Sequence, residues 1–207
     1  LSEDEILKLA KKRRKKFIRT NYSFKPENCH PDKHFKSSMK PSGKLYSADI
    51  ELKKFPSYAS NLLKGKKHEW VLLALVQEDR VKSFYANKGL DNSSVSFNCD
   101  IEDIIRICKE NNYQTIMRFH NHPNSDPQHY TALLASRQDK RSARYCSEKV
   151  LDYGINWLDF VCERGRFIEF YRAFSESFSP SVQILLISSR RIGMRKITIN
   201  CTESWDS

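Results

Sequence analysis

Thr115-Ile116-Met117-Arg118-Phe119-His120-Asn121-His122-Pro123 is the stretch on which the fold turns. Residues 115–119 are short and mostly apolar, which predicts a buried strand. That strand delivers two imidazoles, His120 and His122, at its end, and Pro123 then forces a turn. In extended chain, residues i and i+2 point to the same face, so both rings can reach one metal ion. Taken alone the pair is ambiguous, because a single His-x-His is as easily a pair of surface or core histidines.

The neighbourhood sharpens it. Upstream, Glu69 stands at the head of Trp70-Val71-Leu72-Leu73-Ala74-Leu75-Val76, a continuous apolar run of the kind buried on both faces of a sheet. A carboxylate beside such a run is costly unless something holds it there, although a surface residue on a strand end is the simpler alternative. Downstream, Ser136-Arg137-Gln138-Asp139 opens a helix expected to reach about Asp152, with Ala143, Cys146 and Val150 on one face. Ser-x-x-Asp is also a helix-start signature, so capping alone accounts for both residues. Two His and one Asp leave the fourth position of a tetrahedral zinc open, the pattern of a catalytic rather than a structural site. A separate Glu can take and return a proton, and a Ser hydroxyl can donate to a developing oxyanion.

The rest of the chain frames this core. Residues 45–52 predict a strand, and residues 56–64 a short helix, with Pro56 in its first turn and Gly65 past its end. Residues 81–86 and 95–97 predict a second and a third core strand. Asp100 then caps a helix to about Asn112, with Asp103 at its third position and a stripe of Ile101, Ile104, Ile105 and Cys108. Residues 155–162 and 167–171 predict a hairpin around Glu163-Arg164-Gly165; Asp159 and Arg166 are expected to support it rather than do chemistry. Most sheet neighbours are hairpins. The expected fold class is therefore α/β of the α+β type, a mixed, mostly antiparallel sheet flanked by helices and not a doubly wound one. Ahead of the core, residues 3–17 predict a helix and residues 20–44 a connector with three prolines. Cys29, His30 and His34 in that connector lack a matched fourth ligand and read as a chance cluster. Beyond Tyr171, residues 182–187 and 196–199 fit strands or an apolar tail, and 202–207 a disordered end.

Composition bounds the function. The 207 residues suit one domain with extensions. The net charge of +11 is uneven: residues 1–68 hold 18 Lys+Arg against 7 Asp+Glu, whereas residues 69–207 hold 18 of each. All the excess basicity lies ahead of the site. The run Lys11-Lys12-Arg13-Arg14-Lys15-Lys16 reads as a solvated arm or as a contact for nucleic acid, an anionic membrane face or an acidic partner, or as a nuclear signal. No interleaved aromatics favour specific nucleic-acid stacking there. No apolar run approaches the ~18 residues of a membrane span. The opening Leu-Ser-Glu-Asp-Glu lacks the basic and apolar regions of a signal peptide, and it has no initiator Met, as in a trimmed or partial chain. The six cysteines are dispersed without a CxxC pair, and Cys108, Cys146 and Cys162 fall at apolar positions. They read as reduced core residues of an intracellular protein, cytoplasmic or, in a eukaryote, nuclear.

Glu69-Trp-Val-Leu-Leu-Ala-Leu, His120-Asn-His-Pro and Ser136-Arg-Gln-Asp139 together resemble the JAB/MPN (JAMM-type) metalloprotease family. His-Asn-His-Pro-x-x-Asp-Pro at 120–127, Leu158-Asp159-Phe160-Val161 and Gly165-Arg166-Phe167 are similar to its RadC-like branch. The resemblance covers about residues 68–172. It divides the chain into a basic helix and connector (1–67), a zinc hydrolase domain (68–172) and a C-terminal extension (173–207). It implies a cytidine-deaminase-like core and one zinc per chain on His120, His122 and Asp139. Glu69 would be general base and acid, and Ser136 would stabilise a tetrahedral intermediate. The implied activity is that of a zinc peptidase or isopeptidase on a protein substrate, which in this family is often a ubiquitin-like C-terminal tail. The RadC-like branch implies an alternative, a DNA-repair type of nucleic-acid-associated protein contacting phosphates through residues 1–67. Some relatives of this kind keep the fold and lose the metal. The spacing from His122 to Ser136 departs from the pattern, being several residues longer. The extra segment, 128–135, contains His129 and Tyr130 and reads as a lid or substrate loop; Asp126 and, less well, His129 are alternative ligands.

Overall fold

The structure, a computed structural model, describes residues 31, 33–90, 95–123 and 133–175. In chain order its elements are α1 (Lys33–Ser38), β1 (Lys44–Glu51), α2 (Phe55–Leu63), β2 (Trp70–Gln77), β3 (Arg80–Lys88), α3 (Ile101–Glu110), β4 (Thr115–Asn121), α4 (Arg137–Leu151), β5 (Asn156–Glu163) and β6 (Arg166–Ala173). The six strands form one mixed sheet in the order β1-β3-β2-β4-β5-β6. Only β4 and β5 run parallel; every other pair is antiparallel. The mixed, mostly antiparallel sheet with helices around it is the architecture expected from the order of elements.

Local chemistry explains the connections. Two-residue hairpins need positive φ at their tips. At the β5–β6 tip Arg164 has φ 48° and Gly165 φ 78°, as a type I′ turn requires. A parallel pair cannot be joined by a tight turn. α4 therefore carries the chain from β4 back to β5, and its N-terminus comes to lie near the end of β4.

The sheet is covered on both faces. One face buries Leu72, Ala74, Phe84, Met117, Phe119, Leu158 and Phe160 under α2, which contributes Phe55, Ala59, Leu62 and Leu63. The other buries Val71, Leu73, Leu75, Ile116 and Trp157 under the stripe Ile101, Ile104, Ile105 and Cys108 of α3 and under Cys146 and Val150 of α4. β2 sits in the middle and is buried at all positions but its last, which is why its sequence is continuous rather than alternating. Residues 44–63 belong to this same body: β1 pairs along β3, and α2 packs on the sheet.

Two local expectations fail. Residues 95–97 form no strand. The Asn87 side chain holds the segment instead, donating to the Ser96 carbonyl at 2.9 Å and accepting from the Asn98 N–H at 3.1 Å. The β-branched and aromatic side chains still pack on the core, so composition misled where the backbone has no ladder to join. Asp100 does stand at the N-cap of α3, but its side chain makes no capping hydrogen bond. Cys108, Cys146 and Cys162 are buried and free, as expected; burial pushes the Cys108 thiol up to about 12. The predicted helix at 3–17, Cys29, His30 and the predicted elements beyond residue 175 lie outside the described residues. Among those described, no helix is long and apolar enough to cross a membrane.

Candidate metal centre

The alternation of β4 sorts its residues by task. Ile116, Arg118 and His120 point to the α3/α4 face, and Met117, Phe119 and Asn121 to the α2 face. In the antiparallel pairing with β2, His120 lies opposite Val71. The pairing ends there, but continuing its register by two residues would bring Glu69 level with His122, and both line the same cleft. Parallel pairing with β5 extends one step past β4, where the His122 N–H donates to the Cys162 carbonyl at 3.4 Å. Both histidine backbones are thus held by neighbouring strands, not by the loop that follows.

α4 brings the third group. Ser136 caps it through a complete capping box: Ser136 Oγ accepts from the Asp139 N–H at 3.1 Å, and Asp139 Oδ2 accepts from the Ser136 N–H at 2.6 Å. The capping role and the site role are therefore not alternatives. The box fixes the Asp139 carboxylate while its Oδ1 lies 3.3 Å from His120 Nε2 and its Oδ2 3.5 Å from His122 Nε2. The two Nε2 atoms are 3.1 Å apart. A tetrahedral ion with bonds of about 2.0–2.1 Å has ligand-to-ligand edges of roughly 3.3–3.4 Å. The spacings lie near that figure, the two to Asp139 being to its different oxygens, so these three side chains could hold one ion. Among the described residues His120, His122 and Asp139 are the sole such group; His34 joins none. Asp126 and His129, the alternative ligands, lie outside the described residues.

Charge follows the same geometry. Burial would push the Asp139 carboxyl up, but hydrogen bonds from His120 and His122 outweigh it and hold the group far below the usual carboxylate range. Burial would lower His122, but the hydrogen bond and negative charge of Asp139, with further help from Glu69 and Glu163, hold it above an ordinary histidine. These imidazoles face an anion, which is the field a bound cation would need.

Glu69 and Ser136 line the same cleft of about 460 Å³ as the three candidate ligands. Glu69 is 6 % exposed, and its carbonyl accepts from the Gly89 N–H at 2.8 Å. Ser136 uses an oxygen lone pair in the capping box, which leaves its own O–H unused by the cap. The structure therefore brings all five predicted site residues together.

One participant escaped the sequence reading. Arg118 is buried beneath the centre and grips Asp159 of β5 with both ends of its guanidinium, Nε to Oδ1 at 2.9 Å and Nη2 to Oδ2 at 2.6 Å. Trp157 Nε1 also donates to Asp159 Oδ2, at 3.1 Å. Arg118 Nη1 donates to Ser142 Oγ at 2.7 Å, and Nη2 approaches the Asp139 carbonyl at 3.5 Å. The pair ties β4 and β5 to the first turns of α4. A lone charge at an inward position of an apolar strand, in each of two strands, was the available signal. Arg166, expected to support the hairpin, donates from Nε to the Glu163 carbonyl at 3.4 Å across the β5–β6 turn.

Compared with known proteins, the chain matches no family model and no curated protein.

Proposed function

We propose that this protein is a zinc-dependent peptidase or isopeptidase of the JAB/MPN (JAMM) type. One observation carries the proposal: Glu69, the His120/His122 pair, Ser136 and Asp139 line one cleft, with the two Nε2 atoms 3.1 Å apart and 3.3 and 3.5 Å from the two Asp139 oxygens. Two imidazoles and a carboxylate suit zinc better than magnesium or calcium, which prefer all-oxygen sites. Bound there with an open fourth position, zinc would supply Lewis-acid polarisation and lower the pKa of water. The chain's own groups do the rest. The Glu69 carboxylate, in the cleft that His122 also lines, takes a proton at Oε and returns it to the leaving nitrogen. Ser136 Oγ–H donates to the oxygen that becomes negative as the carbonyl is attacked. The substrate of this reading is a protein chain, for which a ubiquitin-like tail is the first candidate to assay.

Elemental analysis of the purified protein should find one zinc per chain, lost in His122→Ala. Glu69→Gln should keep the zinc and lose cleavage of an isopeptide-linked ubiquitin-like substrate, and EDTA should abolish cleavage by the wild type. Zinc-free wild-type protein, or a Glu69→Gln variant that cleaves at the wild-type rate, would sink the proposal.

A further inference from the structure

The residue between the two histidines is neither a ligand nor a spacer. Asn121 lies on the opposite face of β4 from His120 and is buried, 4 % exposed. Its Oδ1 accepts from the Trp70 N–H at 2.8 Å, and its Nδ2 donates to the His68 carbonyl at 3.1 Å. Those two backbone groups belong to the peptide units on either side of Glu69. The partners also fix which way the amide points, since an N–H needs the oxygen and a carbonyl needs the nitrogen.

The location explains the need. The paired register of β2 and β4 stops at Val71 opposite His120. Beyond it Glu69 sits on the last stretch of chain before the strand, where a backbone would otherwise fray. On the other side the Gly89 N–H holds the Glu69 carbonyl. With both flanking peptide planes gripped, φ and ψ of Glu69 are set, and so is the direction of its Cα–Cβ bond. Asn is the fitting residue: Asp accepts but cannot donate, Ser reaches one group at most, and Leu offers neither contact.

We infer that Asn121 is a positioning residue that aims the Glu69 carboxylate at the point between His120, His122 and Asp139. One strand then serves both halves of the centre, holding metal on one face and aligning the base from the other. The inference rests on the metal-centre reading above, and the test separates them. The probe is Co2+ loaded into the full chain. Wild type, Glu69→Gln, Asn121→Leu and Asn121→Ser are compared for cobalt stoichiometry, for the pH dependence of the cobalt visible spectrum and for hydrogen exchange at the Trp70 amide. All four should bind one cobalt per chain with similar affinity. Glu69→Gln should move the midpoint of the spectral pH change, and both Asn121 variants should move it the same way. Loss of one hydrogen bond should cut Trp70 protection about five- to tenfold in those variants. A role confined to folding would leave the cobalt pH profile unmoved. Full cobalt with the wild-type pH profile in both Asn121 variants overturns the inference alone. Wild-type protein that takes up no cobalt overturns the metal-centre reading and this inference with it. Asn121→Leu keeps the side-chain volume and Asn121→Ser retains a polar atom, so one that fails to fold leaves the other to decide.

Discussion

Asp139 serves two tasks with one carboxylate: it closes the capping box on Ser136 and it faces both imidazoles. That sharing has a consequence for pH. The His122 imidazole is held above the ordinary histidine value of ~6.5 by Asp139. A group with a raised folded pKa contributes stability that is complete below its unfolded value and lost as pH rises through its folded value. Asp139 has the opposite sign, with stability present above the ordinary carboxylate value and lost only in strong acid. From pH 6 to 8 its contribution is constant, while that of His122 falls as pH rises. Metal-free protein should therefore melt at a higher temperature at pH 6 than at pH 8, and His122→Asn should flatten that difference. Zinc competes with the same proton, so zinc affinity should rise over the same interval. Calorimetric melts with and without zinc at the two pH values check both signs.

At the scale of elements, the site depends on how α4 is docked. Breaking a buried ion pair by removing one partner costs about 3–5 kcal/mol, whereas replacing both by apolar groups is often near neutral. Arg118→Met should therefore destabilise by about that amount, and Arg118→Met with Asp159→Leu should recover most of it, as read by denaturant unfolding. Equal loss in the single and double variants would contradict this account of the pair. Ser136→Ala removes the cap and should cost about 1 kcal/mol. It should also lower turnover roughly 100-fold if Ser136 donates to the oxyanion, against no rate effect if it only caps. Much of this level was legible in the sequence: the unbroken run of β2, the 3.6-residue stripe of α3, the Ser136/Asp139 helix start. The misses share a cause. Residues 95–97 have strand composition, but Asn87 supplies their partners and no ladder does. Arg118 and Asp159 are 41 residues apart, and their meeting depends on β4 and β5 being parallel neighbours. Asn121 carried no signal of its own because its partners are backbone groups of β2's approach, invisible until the register is known.

For the molecule as a whole, residues ahead of Glu69 are partly structural. Phe55, Leu62 and Leu63 are fully buried against the sheet, each worth about 1.5–3 kcal/mol of burial. A chain starting at residue 69 loses all of these along with β1, a loss comparable to the whole stability of a typical domain. Such a truncation should show no cooperative thermal transition; a sharp melt like that of the full chain would contradict the single-body fold. Any test of nucleic-acid binding by the basic segment should therefore remove residues 1–30 and keep β1 and α2. The neutrality of residues 69–207 holds for the sum only. Arg137, Lys140, Arg141 and Arg144 are all exposed on α4, whereas Glu69, Asp139 and Asp159 are withdrawn toward the sheet.

The capping box has a further meaning in polymer terms. A metal held between His122 and Asp139 would be a cross-link, closing a ring of chain between β4 and the first turn of α4. The entropy of closing such a ring grows only logarithmically with its length, so doubling it costs about 0.6 kcal/mol. The long spacing between His122 and Ser136 is then nearly neutral for metal retention. By chain statistics alone, then, the number of residues between His122 and Asp139 weighs far less on how firmly the two ends could share an ion than the placing of β4 and α4 does.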